Sequence, residues 1–175
     1  VFLASGEGGL RGVRFGEFFA IELSVSYQTD GFAHDVSLHG DLALVADGED
    51  GLLVFDRSVL SELGLSGSLD TPGTARAVAA AGDYAYVADG AGGLRIIDIS
   101  NPLAVFEAGS YPTPGAAVDV AVSGRLVFIA VEGMGVQVVN VISPRIVLPV
   151  VFFDTPGEAR GVAVAAEGVY VADGE

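Results

Sequence analysis

The sequence predicts an all-β protein of the β-propeller class, built from four-stranded antiparallel blades of 42 residues each. Three observations predict this fold: a repeat of constant spacing, four strand-like segments in each repeat, and strands that are apolar on both faces. Four short strands in roughly 40 to 45 residues are typical of a propeller blade. Radial stacking of blades then covers both faces of each sheet, which a single sheet does not achieve alone.

The repeat is marked by a turn motif that recurs every 42 residues, with Thr in third place and Gly in fifth: Tyr27–Gly31, Leu69–Gly73, Tyr111–Gly115 and Phe153–Gly157. The chain is therefore interpreted as a single propeller domain over residues 1–175, divided into the repeats 1–26 (partial), 27–68, 69–110, 111–152 and 153–175 (partial). About four blades are present. Because residue 1 falls inside a second-strand position and residue 175 falls just past one, we expect a fragment of a propeller of roughly six to eight blades, with open sheet edges and uncovered apolar faces.

Residues 69–110 show the predicted strands in order. The first, over 75–81, alternates larger and smaller apolar residues, and a Gly-Asp turn leads into the second at 84–89. A glycine-rich connection precedes the third strand at 94–99, which is rich in β-branched residues. Pro102 ends this pattern, and an outer strand follows at 106–111. No segment has helical apolar spacing over ten or more residues, so we expect almost no helix.

Charge and composition exclude several partners. The chain carries 23 acidic and 8 basic residues, a formal charge of −15, and this field repels phosphate backbones, so we expect no nucleic-acid partner. The longest apolar run, Ile146–Phe153, is interrupted by Pro149 and is too short for membrane insertion by this segment. The absence of cysteine removes disulfides, thiolate metal sites and cysteine nucleophiles.

Short signatures within the repeats resemble a known family. Three segments are similar to the Leu-Val-Ile-Val-Asp signature of LVIVD repeats: Leu94–Asp98, Leu52–Asp56 and Val136–Asn140. Tyr86–Gly90 and Ile99–Pro102 resemble the usual flanks of that signature. The resemblance implies a propeller in a bacterial or archaeal exported or cell-surface protein, hence an extracellular or surface location, and it implies no common catalytic residues. Departures at Leu10–Arg14 and at Val131–Glu132 predict irregular blades there.

One repeat position predicts a ligand site. His34, Arg76, Val118 and Arg160 occupy equivalent places before the inner strands, and Asp35, Ala77, Asp119 and Gly161 follow them. Inner strands of a propeller meet around the mouth of its central channel, so we expect His34, Asp35, Arg76, Asp119 and Arg160 to hold an anionic or sugar-like ligand there. The alternative is that Arg76 and Asp119 pair with each other or with neighbouring blades.

An acidic loop is a second candidate. Asp47, Glu49 and Asp50 alternate with glycine, and carboxylate oxygens are ligands that Ca²⁺ prefers. The equivalent loops contain no recurrent ligand set, so a solvated hairpin is the favoured interpretation. No cofactor is predicted, with Ca²⁺ at this loop as the alternative. The recurring Asp47, Asp89 and Asp173 are expected to cap turns by accepting backbone N–H bonds.

Two further patterns are not interpreted as sites. The Gly-x-Gly pairs, such as Gly90 and Gly92, precede a strand rather than a helix and lack the third glycine of a dinucleotide-binding loop. His34 and His39 lie in one repeat with no recurrent nucleophile, so they are interpreted as surface or channel-mouth histidines.

The favoured function is a non-catalytic binding or structural module that mediates protein or glycan interaction, with further blades and an anchor domain in the full-length protein. The first alternative is a propeller enzyme, a lactonase-like hydrolase or a quinoprotein-like oxidoreductase, whose site other blades would complete. The second alternative is a spacer that holds other domains apart. Fold alone does not separate these functions.

Overall fold

The computed structural model describes residues 1–15, 21–58 and 64–174. The described residues contain strands, turns and loops and no helix, in agreement with the sequence prediction. The parts of repeats 1–26 and 27–68 that span 16–20 and 59–63, and the terminal residue 175, lie outside the described residues. The described part of the chain also contains no helix of the length and apolarity that crossing a membrane requires.

The described strands form five antiparallel sheets in chain order. The first sheet has three strands: β1 (Phe2–Ala4), β2 (Leu10–Phe15) and β3 (Ile21–Tyr27). The first full blade contains β4 (Asp35–His39), β5 (Leu42–Ala46), β6 (Leu52–Asp56) and β7 (Gly64–Leu69). The second contains β8 (Ala77–Ala81), β9 (Tyr84–Ala88), β10 (Leu94–Asp98) and β11 (Phe106–Tyr111). The third contains β12 (Ala117–Ser123), β13 (Leu126–Val131), β14 (Gly135–Ser143) and β15 (Ile146–Asp154), and the last sheet pairs β16 (Glu158–Ala165) with β17 (Gly168–Gly174).

The predicted strands of repeat 69–110 are confirmed to within two residues. The first begins at Ala77 rather than at residue 75, and the outer strand is Phe106–Tyr111 as predicted. The apolar run Ile146–Phe153, which is too short to cross a membrane, lies in β15, the outer strand of the third blade. Its Pro149 is compatible with this place because an edge strand leaves one side of its backbone unpaired.

The core lies between sheets rather than within one. One cluster joins Tyr86, Leu94 and Ile96 of the second blade with Val127 and Ile129 of the third. Each fully buried aliphatic side chain of this kind contributes roughly 1.5–3 kcal/mol of transfer free energy. Because a similar cluster joins the first blade to the second, both faces of the middle sheet are buried, which explains why its strands are apolar throughout.

Paired backbone hydrogen bonds also join successive sheets. A glycine after the strand that is second in the repeat exchanges two N–H to carbonyl bonds with an alanine that opens the next blade, in the pairs Gly6–Ala33, Gly48–Ala75 and Gly90–Ala117. These glycines have positive φ, +64° at Gly48 for example, a conformation that disfavours other residues. The recurrence of Gly and Ala at these positions therefore follows from the junction between blades.

The expected uncovered apolar faces occur on the first and last sheets. Tyr170 of β17 is 58% exposed, whereas Tyr86 and Phe128 at the equivalent position are 6% and 8% exposed under the following blade. Leu3 of β1 is 47% exposed, whereas its equivalent Val87 is fully buried against the preceding blade. The exposed faces are therefore the same kind of surface that blades bury against each other elsewhere in the chain.

Candidate functional site

A cleft of about 450 Å³ lies where the inner strands meet, and it is lined by His34, Arg76, Val118, Glu132, Ala159 and Arg160. Four of these side chains come from equivalent positions of four successive repeats, at the start of each inner strand. Equivalent positions share one cavity when sheets are arranged around an axis. The structure thus brings His34, Arg76 and Arg160 together, and ligand binding by them stays a prediction.

His34 and Arg76 form one side of this cleft. Burial lowers the pKa of His34 below its usual 6.5, and the positive charge of Arg76 lowers it further, while Asp47 opposes both effects. The imidazole is therefore neutral at pH 7, when it both donates and accepts hydrogen bonds. The Arg76 side chain is exposed and makes no hydrogen bond or ion pair with any described residue, so Arg76 and Asp119 do not pair with each other.

Arg160 lies on the other side of the cleft. Its Nη2 donates to Glu158 Oε2 at 2.7 Å, and this pair raises the pKa of Arg160, with a smaller contribution from the charge of Glu132. Both partners are largely exposed, so this ion pair adds little to stability. A guanidinium has five N–H donors, so the bond to Glu158 leaves most of them free for a ligand.

Asp35 and Asp119, also predicted at the mouth, form bonds between blades. Asp35 accepts the N–H of Val36 at 2.8 Å with one oxygen and the N–H of Val78, in the next blade, at 3.0 Å with the other. Asp119 repeats this arrangement with Val120 at 2.8 Å and Val162 at 2.7 Å. Each carboxylate therefore joins two inner strands, and ligand contact by either remains a prediction.

This arrangement explains the alternation of Asp35, Ala77, Asp119 and Gly161 at one repeat position. A carboxylate has two oxygens, so one carboxylate serves the valine N–H of its own blade and of the next. An aspartate at residue 77 would need the N–H groups of Val78 and Val120, and Asp35 and Asp119 already accept these. Burial raises the pKa of Asp119, the two N–H bonds oppose that shift, and the nearby charge of Asp35 adds to it.

The other recurring aspartates form a different bond, within a blade. Asp89 is fully buried and accepts the hydroxyl of Thr71 at 2.6 Å and the N–H of Gly73 at 2.9 Å. The same pair of bonds joins Asp47 to Thr29 and Gly31, and Asp173 to Thr155 and Gly157. The prediction that these aspartates accept turn N–H bonds is confirmed, and the Thr of the turn motif is explained as a second donor. We call this arrangement the Asp–Thr clasp.

The carboxylates of the acidic loop lie in two different environments, and Ca²⁺ binding there stays a prediction. Both oxygens of Asp47 are bonded within the Asp–Thr clasp, and burial raises the pKa of Asp47 against the effect of those bonds. Glu49 and Asp50 instead line a second cleft of about 370 Å³ that also contains Asp30 and Asp70. In the described ranges, no group of three or more His, Cys, Asp or Glu residues is arranged to hold a metal ion.

Two residues of the first cleft, Glu132 and Ala159, were not predicted from the sequence. The available signal was the departure of Val131–Glu132 from the usual Asp-Gly, which predicted an irregular blade. The third blade keeps four strands but has no Asp–Thr clasp, since Val131 replaces the aspartate and Thr113 donates to the Gly115 carbonyl instead. The irregularity is thus local, and it lies at the cleft.

Stacked four-stranded antiparallel sheets with a cleft at their inner strands define a protein of the β-propeller class. The chain belongs to the LVIVD repeat family, whose model matches residues 30–71, 72–113 and 114–144. No curated protein matches the chain.

Many solved structures are similar to it, and three of them are described below. A functionally unknown protein from Desulfotomaculum acetoxidans DSM 771 has a TM-score of 0.81 at 14% identity, over 98% of this chain and 58% of that one. The computationally designed Ika8 protein has a TM-score of 0.74 at 11% identity, over 98% of this chain and 52% of that one. The computationally designed Ika4 protein has a TM-score of 0.66 at 10% identity, over 83% of this chain and 87% of that one. The chain thus spans little more than half of two of these proteins, and likeness at such identity shows the fold alone.

Proposed function

We propose that the chain is a non-catalytic binding module of an exported or cell-surface protein, which presents the cleft at its inner strands to a glycan or protein ligand. The observation that carries this proposal is the convergence of His34, Arg76 and Arg160 from three different repeats on one cleft. Clefts of roughly 300 to 1,000 Å³ with a few convergent polar groups are typical of ligand sites. The surface location rests on the LVIVD membership of the chain.

The chemistry of the lining supports binding rather than catalysis. His34 is the one imidazole among the described lining residues, and no hydroxyl or thiol nucleophile lies with it. A hydrolase of the lactonase kind needs an activated nucleophile or a metal-bound water. The described residues that line this cleft provide neither a nucleophile with its base nor a group of metal ligands. Arg76 and Arg160 instead supply directional donors, which are suited to holding a ligand.

A glycan array probed with the labelled chain tests the proposal. The array contains neutral and acidic glycans, and the matched protein is the double variant Arg76→Ala, Arg160→Ala. We expect the wild-type chain to bind at least one group of glycans and the double variant to lose that binding. Arg125→Ala is the control, because Arg125 is exposed in the turn between β12 and β13 and is not among the residues that line the cleft.

Catalysis is tested on the same preparations. Turnover of lactones, or of alcohols in the presence of a quinone cofactor and Ca²⁺, that depends on His34 would overturn the non-catalytic proposal. Binding that the double variant retains would also overturn it, because the ligand would then lie elsewhere. Protection of the chain from added protease in intact cells of the producing organism would contradict the surface location.

A further inference from the structure

The junction between the third blade and the last sheet departs from the three before it. At each earlier junction a glycine with positive φ exchanges two backbone bonds with an alanine of the next blade. Here Glu132 occupies the glycine position and Ala159 the alanine position. No backbone bond among the described residues joins these two, and the N–H of Glu132 donates to the Ala116 carbonyl of its own blade at 2.9 Å.

A physical reason for this departure is the side chain of Glu132. The bridging glycines have φ between +54° and +64°, which is costly for a residue with a Cβ atom. The positive φ moves to the following residue, Gly133, at +67°. Glu132 and Ala159, the two residues that lack the paired bonds, both line the cleft. The altered junction therefore lies at one side of the cleft where the inner strands meet.

The charges at this opening differ from those of the chain as a whole. The chain has a formal charge of −15, yet the described lining contains two arginines and one glutamate. Arg76 has no ion-pair partner among the described residues, and Arg160 has only the exposed Glu158. The lining thus contains one guanidinium without an ion-pair partner among the described residues, that of Arg76, and a second, that of Arg160, whose bond to Glu158 leaves further donors free.

We propose, building on the binding function above, that this cleft selects a sugar carrying a single carboxylate, such as a uronic acid unit of a glycan. The Arg76 guanidinium binds the carboxylate, Arg160 donates to the same group or to an adjacent hydroxyl, and the neutral imidazole of His34 bonds a ring hydroxyl. The two apolar described lining residues, Val118 and Ala159, are small, so the cleft offers no deep apolar pocket for a peptide anchor. The negative field of the rest of the chain disfavours polyanions.

The test is NMR titration of the folded chain with D-glucuronate, using D-glucose and the methyl ester of glucuronate as uncharged matches. The His34 ring signals report occupancy of the cleft, and a buffer of low ionic strength preserves the charge interaction. We expect glucuronate to shift those signals and to bind about tenfold or more tightly than either neutral sugar. Arg76→Gln should weaken glucuronate binding by about tenfold or more and so remove most of the preference for glucuronate over glucose, whereas Arg125→Gln should preserve both the affinity and the preference.

Several results would overturn this inference. They are equal binding of glucuronate and its methyl ester, unchanged affinity in a folded Arg76→Gln variant, and no shift of the His34 signals at about 50 mM glucuronate, far above the range of specific binding. Tighter binding of N-acetylglutamate than of glucuronate would assign the cleft to an acidic peptide instead. Cleft-dependent binding of neutral glycans on the array would retain the binding function while removing the carboxylate selectivity, so the two failures are distinguishable.

Discussion

The Asp119 carboxylate accepts the N–H of Val162, 43 residues further along the chain, at 2.7 Å. Its other oxygen accepts the N–H of Val120 in its own strand, so a single side chain fixes the inner strands β12 and β16 relative to each other. Asp35 does the same for β4 and β8. The walls of the cleft therefore depend on carboxylates that lie next in sequence to the lining position.

Removing the Asp119 carboxylate should destabilise the fold. Asp119→Ala leaves two N–H groups without their charged acceptor, and hydrogen bonds to charged groups contribute about 1.5–3 kcal/mol. We expect the unfolding free energy from urea denaturation to fall by about 2 kcal/mol. Glu167→Ala removes an exposed carboxylate for which the structure shows no hydrogen bond or ion pair, and it should change stability by less than about 0.5 kcal/mol. Equal effects of the two substitutions would contradict the assigned role.

The same residue should produce a pH dependence of stability. Burial raises the pKa of Asp119 in the folded state above its ordinary value of 3.8. At pH values between 3.8 and this higher folded-state pKa, the folded state therefore binds more protons than the unfolded chain. The unfolding free energy contributed by this group therefore falls as pH rises through that window. Asp119→Asn removes the titration, and the difference in unfolding free energy between wild type and variant, followed from about pH 3 to about pH 7, should decrease as pH rises in the window. A pH-independent difference would contradict the raised pKa.

The Asp–Thr clasp provides a matched pair of substitutions. Thr71→Val removes a donor from the buried Asp89 carboxylate, and we expect a loss of about 1–3 kcal/mol of unfolding free energy in urea denaturation. Thr113→Val removes the same hydroxyl in the blade that has Val131 instead of Asp, where that hydroxyl bonds only to the Gly115 carbonyl. The loss there should be clearly smaller. Comparable losses would show that Thr stabilises the turn without its aspartate.

The sequence predicted the strands well because their signals are local. The turn residues and β-branched runs of repeat 69–110 located all four strands to within two residues. The constant period also placed His34, Arg76 and Arg160 at one position, which the structure brings to one cleft.

The alternative that Asp119 pairs with a neighbouring blade is confirmed, but the sequence did not identify the backbone N–H groups that Asp35 and Asp119 accept. Their acceptance of N–H groups about one repeat away depends on which backbone donors face the channel after the blades have packed. The presence of Glu132 in the cleft goes with the positive φ at Gly133, and the sequence indicated only that this loop was irregular.

The influence of Arg76 on His34 is measurable in the folded state. Arg76→Gln removes a positive charge that lowers the pKa of His34, while the burial that lowers it most remains. The pKa of His34, followed by NMR of the ring protons, should therefore rise in the variant and stay below 6.5. Arg125→Gln removes an equal charge at an exposed site and should leave the His34 titration unchanged. A His34 pKa that is the same in both variants would place Arg76 too far from the imidazole to act on a shared ligand.

The exposed face of the last sheet should accept another blade of the same repeat. Because residue 175 aligns with residue 91 two repeats earlier, a copy of residues 92–133 appended after it continues the register and provides the strands that cover Tyr170. The chain has no tryptophan, so Tyr170→Trp introduces a single indole at this position. Tyr86, at the equivalent position, is almost fully buried by the next blade. We therefore expect the indole in the extended chain to emit at shorter wavelength, and the unfolding free energy to be higher by about 2 kcal/mol or more.

An appended segment of the same composition in shuffled order is the control, and sedimentation velocity distinguishes the added blade from self-association. Unchanged emission in an extended chain whose added strands fold would show that this face does not bind a blade in the way that the second blade binds the third.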